Sequence, residues 1–505
     1  MKRSASIFGF ALVFCAGLGF SRPARAVDDE IHWTMTGPTS VTFDWRGAST
    51  TLRYGPTTAY GLSATGATPT PLPYSSTGPF HEARVTGLLP GVTYHYSIGT
   101  GADHTFHTLP PATASFVVYC EGDIGDNATY PRVSPVQSLI AGASPSFVLV
   151  VGDLTYGNDN GQAVVDRHFN DVMPWSQDAA YMPAWGNHEW SKTTDDFRNY
   201  KGRFDFPNPQ TSPGAPTAGC CGEDWYWFDA GTTRFIAYPE PYTGAWSDWK
   251  TKATALMDQA QANPAIRFIV TFGHRPAYSS GYHPGDATLA SYMGTLGAAH
   301  SKYVLNINGH SHDFERTYPQ SGVVHVTAGI GGATLEELAA PCYWSVCPAP
   351  SWCAFRAFHH GTLRLTITPT SIKGEAICGP AGDSGSNHND ITCASGDVID
   401  SFLIGTPLAV DPRAGGAGGP NLDAVFPNPA FSDLTVQYEL SRPGPASLEL
   451  LDAAGRVVLE RDVDGSADGS RQAVLRRTAN QSPGVYWLRL SQSGRSSATR
   501  VVFMR

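Results

Sequence analysis

Five short polar motifs, each opening on a glycine, follow five apolar runs in the middle of the chain. Gly122-Asp123-Ile124-Gly125 follows Phe116–Tyr119, and Gly152-Asp153-Leu154-Thr155-Tyr156 follows Phe147–Val151. Gly186-Asn187-His188-Glu189 follows Tyr181–Trp185. Gly273-His274 ends the run Arg267–Phe272, and Gly309-His310-Ser311-His312 ends Tyr303–Ile307. In layered α/β domains, ligands gather outside the carboxyl ends of strands, so five such ends converge on one place. Glycine permits the sharp turn and close approach that convergence needs. Taken singly, a Gly-Asp pair is an ordinary turn and a lone histidine beside a strand is usually a hydrogen-bonded core residue. It is the ordered set, with every member at a strand end, that points to chemistry.

The donors on offer are oxygens of Asp123, Asp153, Tyr156 and Asn187 and nitrogens of His274, His310 and His312. Such a mixture suits two adjacent hard or borderline transition metals rather than Ca²⁺ or a thiolate zinc site. Two cations about 3.5–4 Å apart can clamp a phosphoryl oxygen, generate hydroxide and stabilise the leaving oxygen. Formal net charge is −10, so a basic nucleic-acid footprint is absent. Metal ions would supply the local positive charge that an anionic substrate requires.

Different patterns flank this region. The chain has 505 residues with 53 Gly and 38 Pro, which favours β-rich or mixed architecture. Residues 28–109 alternate short β-like runs with turn signals, as in Val41-Thr42-Phe43-Asp44-Trp45, and predict a β-sandwich. The stretch Ala83–Tyr94, with Gly87-Leu88-Leu89-Pro90-Gly91-Val92-Thr93-Tyr94, resembles fibronectin type III-like domains. Apolar runs alternating with the helical candidates Gln162–Met173 and Trp246–Gln261 predict an α/β layered domain over 114–405. A Gly/Pro/Ala-rich linker over 406–420 leads to a second small β-sandwich over 421–505. At the start, Lys2-Arg3, an apolar run and Ala24-Arg25-Ala26 read as an export leader over residues 1–26. Without that leader, which carries Cys15, eight cysteines remain: Cys120, Cys220, Cys221, Cys342, Cys347, Cys353, Cys378 and Cys393. Disulfides and a zinc site are both open to them. The lack of any paired Cys-x-x-Cys favours disulfides, and Cys120 reads as a buried thiol.

The five motifs resemble those of the purple acid phosphatases, a branch of the calcineurin-like metallophosphoesterases. Two features carry the resemblance: Gly125 where relatives outside that branch place a histidine, and Tyr156 three residues after Asp153. The resemblance implies a metallophosphoesterase domain with a β-sandwich core flanked by helices, preceded by a fibronectin-like partner. It implies Fe(III) on Asp123, Asp153, Tyr156 and His312. A second divalent metal (Fe, Zn or Mn) would share Asp153 and bind Asn187, His274 and His310. His188 and His283 match the family's substrate-facing histidines, and Glu189 is expected to orient His188. By itself, His283 in Gly281-Tyr282-His283-Pro284-Gly285 is an ordinary loop histidine. The implied activity is hydrolysis of phosphate monoesters by a metal-bound hydroxide in mild acid. The alternatives are a phosphodiesterase with the same metals and a non-catalytic surface adhesin.

Phe426-Pro427-Asn428-Pro429, Leu451–Val458, Ser482–Tyr486 and Thr499–Phe503 resemble the sorting domains of type IX secretion. They imply a bacterial outer-membrane exporter as partner and, with the leader, a secreted or cell-surface location; no apolar run is long enough to predict a transmembrane span.

Overall fold

The computed structural model describes residues 28–190, 197–216, 222–379 and 391–405, and 420–503 with short interruptions. The export leader, linker residues 406–419, Cys15, Cys220 and Cys221 fall outside the described residues.

The first unit is a β-sandwich. One sheet joins Asp29–Gly37, Ser40–Arg46 and Phe80–Val85; the other joins Leu62–Thr65, Thr51–Gly55, Thr93–Ile98 and His104–His107. Phe43 of the first sheet packs on Tyr96 and Phe106 of the second. Alternation in Asp29–Gly37 would put Glu30, His32, Thr34 and Thr36 in water. Instead these residues are buried, because the strand lies against Ala180–Ala184 and the helix Ala163–Ser176 of the next unit. Glu30 and His32 find partners there: Arg203 pairs with Glu30 at 2.8 Å and Asp166 at 2.8 Å, and His32 Nε2 lies 2.7 Å from the Arg203 carbonyl. Such an interface locks the two units together, since removing one partner would strand a buried charge.

Two sheets form the second unit. The six-stranded sheet has the order Ala180–Ala184, Phe147–Val151, Phe116–Glu121, Gly361–Ile367, Ser371–Cys378, Val398–Gly405. The seven-stranded sheet has the order Trp227–Ala230, Thr233–Ala237, Phe268–Phe272, Tyr303–Asn308, Val324–Ala328, Phe314–Thr317, Cys353–Ala357. Phe147 packs across the gap on Phe228 and Phe235, with ring centroids 5.7 and 5.6 Å away. The first three strands of one sheet are parallel, as are four in the middle of the other, and most of these are buried along their whole length. Burial on both faces is why their sequences are continuous apolar runs rather than alternating ones. Helices Val133–Ala143 and Ala163–Ser176 pack together on one side, and Ala245–Ala262 with Ala287–Ala299 on another. The helix expected over Gln162–Met173 runs on through Pro174 to Ser176. The architecture is the layered one that the sequence predicts, with a sandwich core flanked by helices.

Seven strands build a third unit in two sheets, with Leu434, Val436, Leu448, Leu488, Leu490 and Val501 in a core of its own. Cys342 is bonded to Cys347 and Cys378 to Cys393, while Cys120 is a buried thiol and Cys353 a half-buried one. No helix among the described residues is long and apolar enough to cross a membrane.

His168 links the fold to pH. Nδ1 donates to the Gly125 carbonyl at 2.8 Å, and Nε2 accepts from the Tyr181 hydroxyl at 2.9 Å, so the neutral ring is fully satisfied. Burial lowers its pKa to about 4, and burial lowers His325 to about 3. The unfolded chain takes up these protons near pH 6.5, whereas the folded one resists. Their stabilisation is therefore complete above about pH 6.5 and is lost as pH falls toward 4. The melting temperature should decline over that range, and His168→Gln should make the decline shallower. Calorimetry at a series of pH values measures both.

Candidate metal centre

Every sequence-predicted donor sits just beyond the carboxyl end of a parallel strand. Asp123 follows Phe116–Glu121, Asp153 follows Phe147–Val151, and Asn187 follows Ala180–Ala184. His274 follows Phe268–Phe272, and His310 and His312 follow Tyr303–Asn308. The first two turns are laced together: the amides of Asp123, Ile124 and Gly125 donate to the carbonyls of Gly152, Asp153 and Leu154. Asp123, Asp153, Tyr156 and His310 all take left-handed backbone conformations, with φ of 58°, 51°, 56° and 73°. Each such turn costs about 1–3 kcal/mol and persists only where its surroundings enforce it.

At the Asp153 turn the enforcing group is Glu189. Its carboxylate, wholly buried, accepts from the amides of Gly186 at 2.7 Å, Leu154 at 2.9 Å and Asp153 at 3.0 Å. Glu189 was expected to orient His188. The structure assigns it the Asp153 turn instead, while His188 Nδ1 lies 2.8 Å from Asn158 Oδ1 and 2.9 Å from Asp159 Oδ2. Gly186 shows how tight the approach is, since a Cβ there would stand 2.2 Å from Asp153 Oδ1.

The donors gather in two neighbouring groups. In one, His312 Nε2 is 3.2 Å from Asp123 Oδ1 and 3.0 Å from the Tyr156 hydroxyl, which is 3.4 Å from Asp123 Oδ1. In the other, His274 Nε2 is 3.1 Å from Asp153 Oδ2 and 3.1 Å from Asn187 Oδ1. Ligand atoms of Asp153, His274 and His310 all lie within 4.8 Å of one another. His274 Nδ1 is turned to the Val151 carbonyl at 3.0 Å and His312 Nδ1 to the Thr334 carbonyl at 2.7 Å. Both rings thus present Nε2 to the cluster, the orientation that backbone acceptors impose on metal-binding histidines. Donor type, burial and orientation fit a pair of cations.

Charge at the centre is strongly coupled. Burial disfavours an ionised Asp153, yet His274 and His188 hold its carboxyl far below the usual range. Burial alone would lower His274 and His312, but Asp153 and Asp123 carry them up to about 10 and about 9. Burial, then Asp123 and Asp153, push the Tyr156 phenol well above its ordinary value. Without cations, protons on His274 and His312 balance the two carboxylates, and metal uptake would expel them.

These groups open into a cleft of about 350 Å³. His188 lines it, with Nε2 3.8 Å from Asp153 Oδ2. His283 reaches it from its loop, stacks on His310 with ring centroids 4.1 Å apart, and meets Glu336 at 3.1 Å. Sequence reasoning missed Asn158, Asp159, Glu336 and Arg275, whose Nη1 donates to His310 Nε2 at 2.5 Å. Asn158 and Asp159 directly follow the Tyr156-Gly157 turn and could have been found there. Glu336 comes from a loop whose Glu336-Glu337 pair looks like ordinary surface charge in sequence.

The chain is similar to three family models: calcineurin-like phosphoesterase over residues 116–314, purple acid phosphatase N-terminal domain over 28–116, and secretion system C-terminal sorting domain over 424–504. It is 27% identical over 430 residues to human acid phosphatase type 7, covering 72% of this chain and 90% of that protein. It is 26% identical to a phosphoenolpyruvate phosphatase of Allium cepa, covering 64% of this chain and 72% of the other. Among solved structures, the purple acid phosphatase PPD1 from yellow lupin seeds superposes with a TM-score of 0.58 at 19% identity. That match covers 75% of this chain and 74% of the lupin chain, a likeness of fold.

Glu189→Ala should strand three buried amides. An unfolding free energy lower by about 3 kcal/mol is expected, read by guanidinium denaturation.

Proposed function

Since this chain belongs to the purple acid phosphatase family of calcineurin-like phosphoesterases, hydrolases of phosphoric ester bonds, and carries a C-terminal secretion sorting domain, we propose that it is an exported acid phosphatase hydrolysing phosphate monoesters at a two-metal centre. The meeting of Asp123, Asp153, Tyr156, Asn187, His274, His310 and His312 around one cleft carries this reading. In it, Asp123, Asp153, Tyr156 and His312 would hold Fe(III), and Asp153, Asn187, His274 and His310 would hold a second ion, Fe, Zn or Mn. When bound, such a pair supplies Lewis acidity toward phosphoryl oxygens and lowers the pKa of water.

The side chains do the rest. His188 and His283 flank the cleft and offer N–H donors to phosphate oxygens. Asp159 and Glu336 fix their rings, so a donor on the side of the departing alkoxide can pass it a proton. Glu189 keeps the Asp153 turn from relaxing, so its carboxylate stays aimed at the cluster. Family membership and this assembled donor set tell against the adhesin alternative. The sorting domain would be read by an outer-membrane exporter, delivering the enzyme outside the cell or onto its surface.

Metal analysis and paired assays on para-nitrophenyl phosphate and its bis-ester test the proposal. The monoester should be the better substrate, and chelation should abolish turnover. Fewer than about one iron per chain, with no chelator-sensitive hydrolysis, would refute it. Tyr156→Phe should remove the visible absorption band of an Fe(III) phenolate while the chain stays folded. His188→Ala should lower kcat by about 10²–10⁴ with the metals retained.

A further inference from the structure

His283 stands in Gly281-Tyr282-His283-Pro284-Gly285, a loop with a glycine at each end and no regular structure. Such a stretch samples many conformations unless its ends are tied. Yet His283 is stacked on His310 at the edge of the cleft, with ring centroids 4.1 Å apart.

The tie is made just upstream, at the wholly buried Ser280. Glu315, also buried, accepts from the Ser280 amide and from the Ser280 hydroxyl, both at 2.6 Å. Arg356 Nη1 donates to the same hydroxyl at 2.8 Å. The amide and hydroxyl of Ser345 donate to the Ser280 carbonyl at 2.9 and 2.8 Å. Every polar atom of Ser280 is therefore engaged. At the far end of the loop, the Gly285 amide donates to the Ser279 carbonyl at 3.3 Å, so the loop closes on the same anchor. Gly281 lies so close beneath it that a Cβ would stand 1.8 Å from Asp313 Oδ2.

Glu315 belongs to Phe314–Thr317, a strand paired on both sides, with Val324–Ala328 and with Cys353–Ala357. That strand begins two residues after His312. One rigid element thus carries a donor of the metal centre at its start and the anchor of the loop histidine within it. Glu336 meets the ring of His283 itself, whereas Glu315 acts on the backbone that carries the ring.

Resting on the phosphatase reading above, we propose that Glu315 is the positioning residue of His283, holding its loop through Ser280 so that the imidazole stays where a departing alkoxide takes its proton. As the P–O bond breaks, the imidazolium gives its proton to the alkoxide oxygen and is left neutral. An alkoxide needs that proton, whereas para-nitrophenolate departs without one, so the two kinds of ester should respond differently to a misplaced His283.

The test measures kcat and KM for para-nitrophenyl phosphate and glucose 6-phosphate on the metal-loaded full chain. Wild type is compared with Ser280→Ala, Glu315→Gln, His283→Ala and the double variant Ser280→Ala/His283→Ala. Ser280→Ala and Glu315→Gln should each lower kcat for glucose 6-phosphate about tenfold more than for para-nitrophenyl phosphate. KM, iron content and the visible absorption band should stay at their wild-type values. Hydrogen exchange at Gly281, Tyr282 and His283 should be faster in Ser280→Ala. Because Ser280 acts through His283, the double variant should be no slower than His283→Ala alone. Equal losses on the two esters would overturn the inference, as would losses that add to those of His283→Ala. So would loss of iron or of the band in folded Ser280→Ala, which would place the effect at the metal centre instead. Should Glu315→Gln fail to fold, Ser280→Ala decides alone. A wild type that hydrolyses neither ester would instead overturn the phosphatase reading itself, and this inference with it.

Discussion

Two carboxylates, Asp123 and Asp153, are held almost out of contact with water on strained turns, and the rest of the centre answers to that fact. A buried anion without compensation is costly enough that it normally takes up a proton. Here both side chains accept from backbone amides and face imidazoles, and His274 and His188 hold Asp153 in its charged form. His310 N donates to Asp123 Oδ2 at 2.9 Å, and His188 N donates to Asp153 Oδ1 at 2.8 Å. The site is thus preorganised for positive charge before any arrives, which is what electrostatic catalysis of phosphoryl transfer requires.

Strain at the centre is supported from outside it. Glu189 spends its charge on the peptide amides of the Asp153 and Gly186 turns. Ala333 N and Gly331 N close on the carbonyls of Asp123 and Gly122 from the opposite sheet. Both sheets therefore grip the same pair of turns, and the packing of Phe147 on Phe228 and Phe235 fixes their separation. The N-terminal sandwich adds a further clamp: its first strand packs on Ala180–Ala184, the strand that leads into Gly186 and Asn187. A module that looks like an appendage in sequence is joined to the active unit through a buried Arg203–Glu30–Asp166 network.

Several features were legible in the residues alone. The apolar runs marked the parallel strands because strands covered on both faces need no alternation. Helix ends were off by one to three residues, Ala163–Ser176 running on through Pro174. The polar residues of strand Asp29–Gly37 do not face water: the neighbouring unit covers them and pairs Glu30 with Arg203. His188 and Glu189 show the same limit, since adjacency suggested a pair that the backbone turn separates.

Sequence by itself determined which atoms could bind cations and that they stood at strand ends, because residue type and hydrophobic run length are local properties. It also marked the sandwich-like pattern of both flanks. Tertiary structure alone decided what each polar neighbour does. Glu189 serves main-chain amides, Asp159 backs His188, and Glu336 meets His283 from a loop 53 positions away. Those pairings depend on how separate segments meet in space, and no spacing along one segment encodes them.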